Sequence, residues 1–239
     1  MICQYQDRTI AFRCLCLAVS AIASTAPALA DTPPPRRVAW QGPRTSKGVC
    51  HIMRPGENNL TPALPHRPED ADRYRAVCAL AEAHRYEREH THQVTRLAMA
   101  LFDGLAPALG LNADARFLLQ CGAMLHDIGW SDGRKAHHKT AQRLILAAEG
   151  LPFDDRERTI VALVARYHRK ALPAPDHEGY ADLGEADRRL VRALGGILRV
   201  ADGLDRSHVN VVRERGIDLA GRKDVKIEAI AVTNTLSTM

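Results

Sequence analysis

From Asp70 onward, apolar residues recur at three- and four-residue intervals, and that spacing predicts a succession of amphipathic helices. Val77, Leu80 and Ala81 mark the buried face of a first helix over about Asp70 to Tyr86. Val94, Leu97, Ala98, Leu101, Phe102 and Leu105 mark a second, ending near Gly104 or Pro107. A third, capped by Asn112 or Asp114, runs through Phe117, Leu118 and Cys121 to His126-Asp127 and stops at Gly129. After a short basic loop, Trp130 to Ala136, the next run opens at His137-His138 and continues through Ala141, Leu144, Ile145 and Ala148. Asp154 with Glu157 forms a capping box for a helix carrying Ile160, Val161 and Val164 and ending at His168. A Pro/Gly-containing loop, Leu172 to Leu183, leads to a last helix over about Glu185 to Leu204, with Leu190, Val191, Leu194 and Leu198 inward. Beyond Ser207 the period falls to roughly two, which predicts a β-hairpin, Val209 to Leu219 and Val225 to Val232, around a Gly221 to Asp224 turn.

The apolar stripes are interrupted in a consistent way. His90 lies one turn upstream of Val94 on the same face, His168 four residues beyond Val164, and Asp202 four residues beyond Leu198. His126-Asp127 closes the third stripe, and His137-His138 opens the fourth. An ionisable group turned inward costs several kcal/mol unless something pairs with it. One such residue is ordinarily a hydrogen-bonded core histidine. Five helices showing the same anomaly point to a shared partner, and a divalent cation is the most economical one.

Composition narrows the class. The 239 residues carry a net charge of +5 with only 5% aromatic side chains, a balance that suits packed helices better than a sheet sandwich. The Arg-rich charge alone does not point to nucleic acid, and none is expected as a partner. Cys3, Cys14, Cys16 and Cys50 precede the helical region, while Cys78 and Cys121 read as small core residues; no Cys-x-x-Cys spacing exists for a thiolate site. Residues 1–30 read either as a secretory signal, with Arg8 and Arg13 before the apolar stretch Cys14 to Ile22 and Ala28-Leu29-Ala30 at the cleavage point, or as the product of a start assigned too far upstream. The apolar stretch is too short for a stable membrane span. Residues 31–69, with Pro33 to Pro35 and five further prolines, read as a disordered linker, 70–207 as the helical domain, and 208–239 as a hairpin tail whose remaining strands are expected beyond Met239.

His and Asp ligands without Cys suit Mn, Mg, Fe, Co or Zn. His90, His126, Asp127 and Asp202 are the expected ligands of one ion. Neighbours on a helix point about 100° apart, so Asp127 reaches the same ion as His126 by swinging across, or bridges to a second. His137 or His138, the latter preferred, and His168 are the candidates for that second ion, about 4 Å away, a spacing used for displacement at phosphorus. Asp127 and Lys139 are the candidate catalytic residues, and Lys139, Lys170, Arg134 and Arg206 the candidate substrate-binding ones.

The order His90, His126-Asp127, Asp202 resembles the HD-domain metal-dependent phosphohydrolases. Leu101-Phe102-Asp103, Leu125 to Gly129, His137-His138-Lys139, Arg166 to Pro173 and Leu198 to His208 are similar to the C-terminal HD domain of the exopolyphosphatase / guanosine pentaphosphate phosphohydrolase (Ppx/GppA) family, over about Asp70 to Val232. The resemblance implies an all-α HD bundle with a small C-terminal hairpin. Two departures stand out: Thr140-Ala141 follows Lys139 where the family pattern has another His and then Ser, and no counterpart of the family's actin-like phosphatase domain is legible. The expected function is therefore a phosphohydrolase in which a metal-activated water cleaves a phosphate ester or anhydride of nucleotide, guanosine polyphosphate or polyphosphate type. The alternative is a non-catalytic HD module that holds phosphorylated ligands or a partner protein. The expected partner is a phosphorylated small molecule or polyphosphate. A homodimer is admitted. Localisation is expected to be cytoplasmic, or periplasmic if residues 1–30 direct export.

Overall fold

The computed structural model describes residues 64–133, 135–206 and 208 in full, and the backbone of 212–218 and 226–231. Residues 1–63, on which the expected leader and most of the expected linker fall, and Arg134 lie outside the described residues. Among the described residues six α-helices follow one another: α1 (Ala71–Ala83), α2 (Arg88–Leu109), α3 (Ala113–Leu125), α4 (His137–Ala147), α5 (Asp155–Arg166) and α6 (Glu185–Leu204). Short 3-10 turns at Pro68–Asp70 and Ile128–Asp132 connect them. The backbone segments Val212–Asp218 and Lys226–Ala231 pair antiparallel, and the residues between them lie outside the described residues.

Local chemistry sets the helix ends. The Asn112 side chain accepts from Ala115 N at 2.9 Å and starts α3, and Asp154 and Glu157 complete the capping box of α5. Helix α2 runs past the expected stop at Gly104 or Pro107 and ends at Gly110, which takes the left-handed conformation with φ +63°. Pro107 lies inside the last turn, where it forgoes the N–H bond to the Asp103 carbonyl and the helix ends within three residues. The Arg67 guanidinium donates to Asp70 at 2.7 Å and to Asp114 at 2.6 Å and ties the chain before α1 to the start of α3.

The helices bury one continuous apolar core. Helix α2 packs on α3 and α6, α3 on α5, α5 on α4 and α6, and α4 on the 3-10 turn at Ile128–Asp132. Leu105, Leu119, Met124, Ile160, Leu163 and Leu198 fill its centre. At Gly122 a Cβ would stand 2.7 Å from Val164 Cγ1, so glycine lets α3 and α5 approach closely. No described helix is long and apolar enough to cross a membrane.

Candidate metal centre

The core narrows at one end onto a cluster of imidazoles and carboxylates. Helix α3 stops at Leu125, one residue before the pair; His126 keeps helical angles (φ −61°, ψ −34°) and Asp127 does not (φ −109°, ψ 8°). That break, rather than a side-chain swing on a continuing helix, lets adjacent residues face the same space. His90 comes from the first turn of α2 and Asp202 from the last turn of α6, as their stripes require. His168 stands two residues past the end of α5, on a turn rather than on the helix itself.

Two groups of potential ligand atoms result: His90, His126 and Asp202, and Asp127, His137 and His168, each with its atoms within 4.8 Å of one another. Asp127 joins them. Its Oδ2 lies 3.5 Å from His126 Nε2 and 3.8 Å from His90 Nε2, and its Oδ1 lies 3.2 Å from His137 Nε2 and 3.5 Å from His168 Nε2. His90 Nε2 is also 3.4 Å from Asp202 Oδ1. At the tandem histidine it is His137, not the preferred His138, that meets Asp127. His138 is buried too, but its ring stands edge-on to those of His137 and His168, with centroids 5.8 and 6.5 Å away.

Each imidazole is aimed by its other nitrogen. His126 Nδ1 donates to Ala123 O at 2.7 Å, and His168 Nδ1 to Ala165 O at 2.6 Å. His90 Nδ1 bonds Asp205 Oδ2 at 2.9 Å, a fully buried carboxylate at the end of α6. In all three cases Nε2 is left to face the centre. His90 Nε2, His126 Nε2, His168 Nε2 and Asp127 Oδ1 are buried and make no hydrogen bond. Buried polar atoms are rarely orphaned. Four of them facing one space is what a cation would resolve, and His/carboxylate donors with histidines oriented from behind suit a borderline-to-hard divalent ion.

The electrostatics agree. Burial pushes the His168 imidazole down to about 3, which keeps it neutral and its lone pair available. Burial would raise both carboxylates. Instead the neighbouring histidines hold Asp127 well below the usual range, and His90 above all brings Asp202 down to about 2. Burial would lower His90, but the carboxylates of Asp202 and Asp205 outweigh it and raise the group to about 10. In the cation-free protein His90 therefore carries a proton, whose stabilising effect is complete below its ordinary 6.5 and fades as pH climbs through about 10. A cation that takes Nε2 must displace that proton. Mn2+ affinity is expected to rise with pH over this window, with proton release seen when calorimetric titrations in buffers of different ionisation enthalpy are compared.

Asp202 is the water-facing edge of the site, with 24% of its side chain exposed against 8% or less for His90, His126, Asp127, His137 and His168. Lys139, Lys170 and Arg206 are exposed. A basic group in contact with the cluster is Arg169, whose Nη1 lies 3.4 Å from His137 Nε2. Two further residues join the centre without having been singled out as ligand neighbours: Asp205, and His208, whose ring stacks on His90 at 3.8 Å between centroids while its Nδ1 meets Glu87 at 3.0 Å. Their sequence signal was present but faint: an acid three residues after Asp202, and a histidine closing the same motif.

The tandem histidines give a direct contrast. His137→Ala is expected to weaken a cation held by the Asp127 group by at least about tenfold, the loss typical even of an indirect partner. His138→Ala is expected to leave cation stoichiometry unchanged. Equilibrium dialysis with Mn2+ reads both.

Residues 73–233 match the family described as Ppx/GppA phosphatase, domain III. The matched stretch contains every residue of both ligand groups together with Arg169, Asp205 and His208. The chain belongs to the Ppx/GppA phosphatase family through this domain.

Proposed function

We propose that the helical domain is an HD-type, metal-dependent phosphohydrolase acting on a phosphate ester or anhydride of nucleotide, guanosine polyphosphate or polyphosphate type. The observation that carries this reading is the convergence of orphaned His90, His126 and His168 Nε2 atoms and Asp127 Oδ1 on one buried space. His90, His126 and Asp202 would hold one divalent cation, Asp127, His137 and His168 a second, with Asp127 shared between them. Mn, Mg, Fe, Co or Zn all suit the donors. When bound, such cations supply Lewis acidity, bringing a water close to deprotonation at neutral pH and neutralising charge on a phosphoryl group. The chain's own residues do the rest: Nδ1 partners hold the imidazoles in one orientation, Asp202 leaves an open edge, and the Arg169 guanidinium stands where an anionic substrate would arrive. Lys139 and Lys170 are exposed and flank the approach from α4 and from the turn after α5.

The pairing of 212–218 with 226–231 supports a C-terminal hairpin on this all-α body. Phosphate-anhydride chemistry on nucleotides or polyphosphate fits the cytoplasm, and a native N-terminus at Asp31 would move the protein to the periplasm. The second reading, a module that binds phosphorylated ligands without turnover, is favoured by the match to one numbered domain of a phosphatase.

Metal analysis of the purified chain, followed by a panel of polyphosphate, guanosine tetra- and pentaphosphate, nucleotides and an aryl phosphate, separates the two. Metal-dependent turnover that disappears in His126→Ala and Asp127→Ala supports the hydrolase. Bound metal with no turnover of any substrate supports the binding module. A chain that binds no divalent cation ends both metal-based readings.

A further inference from the structure

The turn that delivers His168 is held from outside by a residue of α6. The carbonyls of the cap and turn that follow α5 are gathered by Arg199. Its Nε donates to Tyr167 O at 3.2 Å, and its Nη2 donates to Lys170 O at 2.9 Å and Ala171 O at 3.0 Å. Lys170 adopts the left-handed conformation, with φ +60°. That region is strained for a residue bearing a Cβ and persists where surrounding contacts over-determine it. One turn before Arg199 on α6, Gly195 comes close enough that a Cβ would stand 3.4 Å from Tyr167 Cβ. The turn is thus pressed against α6 at one end and bonded to it along its length.

What lies inside the turn gives the clasp a role. His168 directs Nε2 to within 3.5 Å of Asp127 Oδ1, and Arg169 directs Nη1 to within 3.4 Å of His137 Nε2. Arg199 itself sits three residues before Asp202, on the same helix. The geometry points to Arg199 as a positioning residue, a clasp that fixes the 167–171 turn so that His168 and Arg169 remain registered with Asp127 and His137, on the helix that also presents Asp202 to the other ligand group. The inference rests on the two-cation reading proposed above, and it adds an asymmetry. Loss of the clasp releases the second group, while His90, His126 and Asp202, none of which the turn carries, keep their places.

The test uses the purified full chain as wild type, Arg199→Gln, Arg199→Lys and Arg192→Gln. Arg192 is the control because it also bonds a loop from α6, donating to Tyr180 Oη at 2.7 Å and within the helix to Glu185 Oε1 at 3.0 Å, while the 167–171 turn meets Tyr180 only through the edge-on ring of Tyr167. Mn2+ titration followed by electron paramagnetic resonance counts the ions and reports whether a pair is spin-coupled. Arg199→Gln is expected to weaken the second Mn2+ by about tenfold to a hundredfold, to lose the coupled signal and to keep the first ion within about twofold. Trypsin is expected to cut faster after Arg169 and Lys170 in the same variant, without any metal present. Arg199→Lys, able to reach fewer carbonyls with its single ammonium, falls between, and carries the test if Arg199→Gln does not fold. Arg192→Gln shows neither change. A coupled pair of unchanged affinity in Arg199→Gln overturns the clasp while leaving the hydrolase reading intact. A wild type that takes up no Mn2+ overturns that reading and the clasp's role in it together.

Discussion

Asp127→Ala is expected to abolish cation binding at both ligand groups in a protein that still folds. The reason is geometric. One oxygen of this carboxylate faces His126 and His90, and the other faces His137 and His168. Removing it leaves His90 and His126 with Asp202 as their one acid in the first group, and His137 and His168 with no acid in the second. A ligand present at a hundred times its dissociation constant stabilises the folded state by about 2.7 kcal/mol. In a domain of this size each kcal/mol moves the melting temperature by roughly 2–4 °C. Saturating Mn2+ is therefore expected to raise the wild-type melting temperature by roughly 5–11 °C and that of Asp127→Ala hardly at all. Phosphate-releasing activity should fall by at least about a thousandfold, some 4 kcal/mol of transition-state stabilisation. Asp127→Asn keeps the shape and removes the charge, so it separates the two contributions: the same loss in Asn as in Ala makes the charge decisive. A Mn2+-dependent melting shift that survives in Asp127→Ala would mean that a cation is held without this carboxylate, against its sharing by the two groups.

Why this residue could be singled out from sequence, and others could not, follows from what periodicity records. A helical stripe registers burial at fixed intervals, so it marked His90 and Asp202, both of which lie on regular helix. It also marked His168, although the helix stops two residues earlier and the turn completes the placement. Periodicity carries no information about how a helix begins. The first turn of α4 is phased by Ala136, held in the left-handed conformation at φ +58°, and by the backbone of Gly129 pressed beneath it. Those contacts decide that His137 rather than His138 meets Asp127, and neither is visible in the spacing of apolar residues. Arg169, one of several basic residues beside the motifs and ranked behind Lys139 and Lys170, and Asp205 failed to stand out for a different reason. They act at the centre through side-chain reach from irregular backbone at helix ends, where exposed basic and acidic residues are ordinary.

Gly129→Ala should produce the second large effect, and it would do so without touching any ligand. A Cβ at this position would stand 2.1 Å from His137 O, 2.9 Å from His137 C and 2.7 Å from Ala141 N. All three are backbone atoms at the start of α4, so no side-chain rotation relieves the contact, and the 3-10 turn and the helix must separate. Overpacking of side chains costs about 1–3 kcal/mol, and a backbone clash falls at or above the top of that range. The expected drop in melting temperature is roughly 6–12 °C or more for the cation-free protein. Because α4 carries His137 at its first turn, the same displacement should remove His137 from Asp127, so that Mn2+ stoichiometry falls from two per chain to one even at temperatures where the variant is folded. Gly150→Ala is the matched control, since a Cβ there meets nothing within 4 Å, and its effect should stay within about 0.5 kcal/mol. If Gly129→Ala melts with wild type, α4 is not seated on this glycine as the structure has it. If it melts early yet still binds two ions, the seat matters for stability and His137 is not the ligand it delivers.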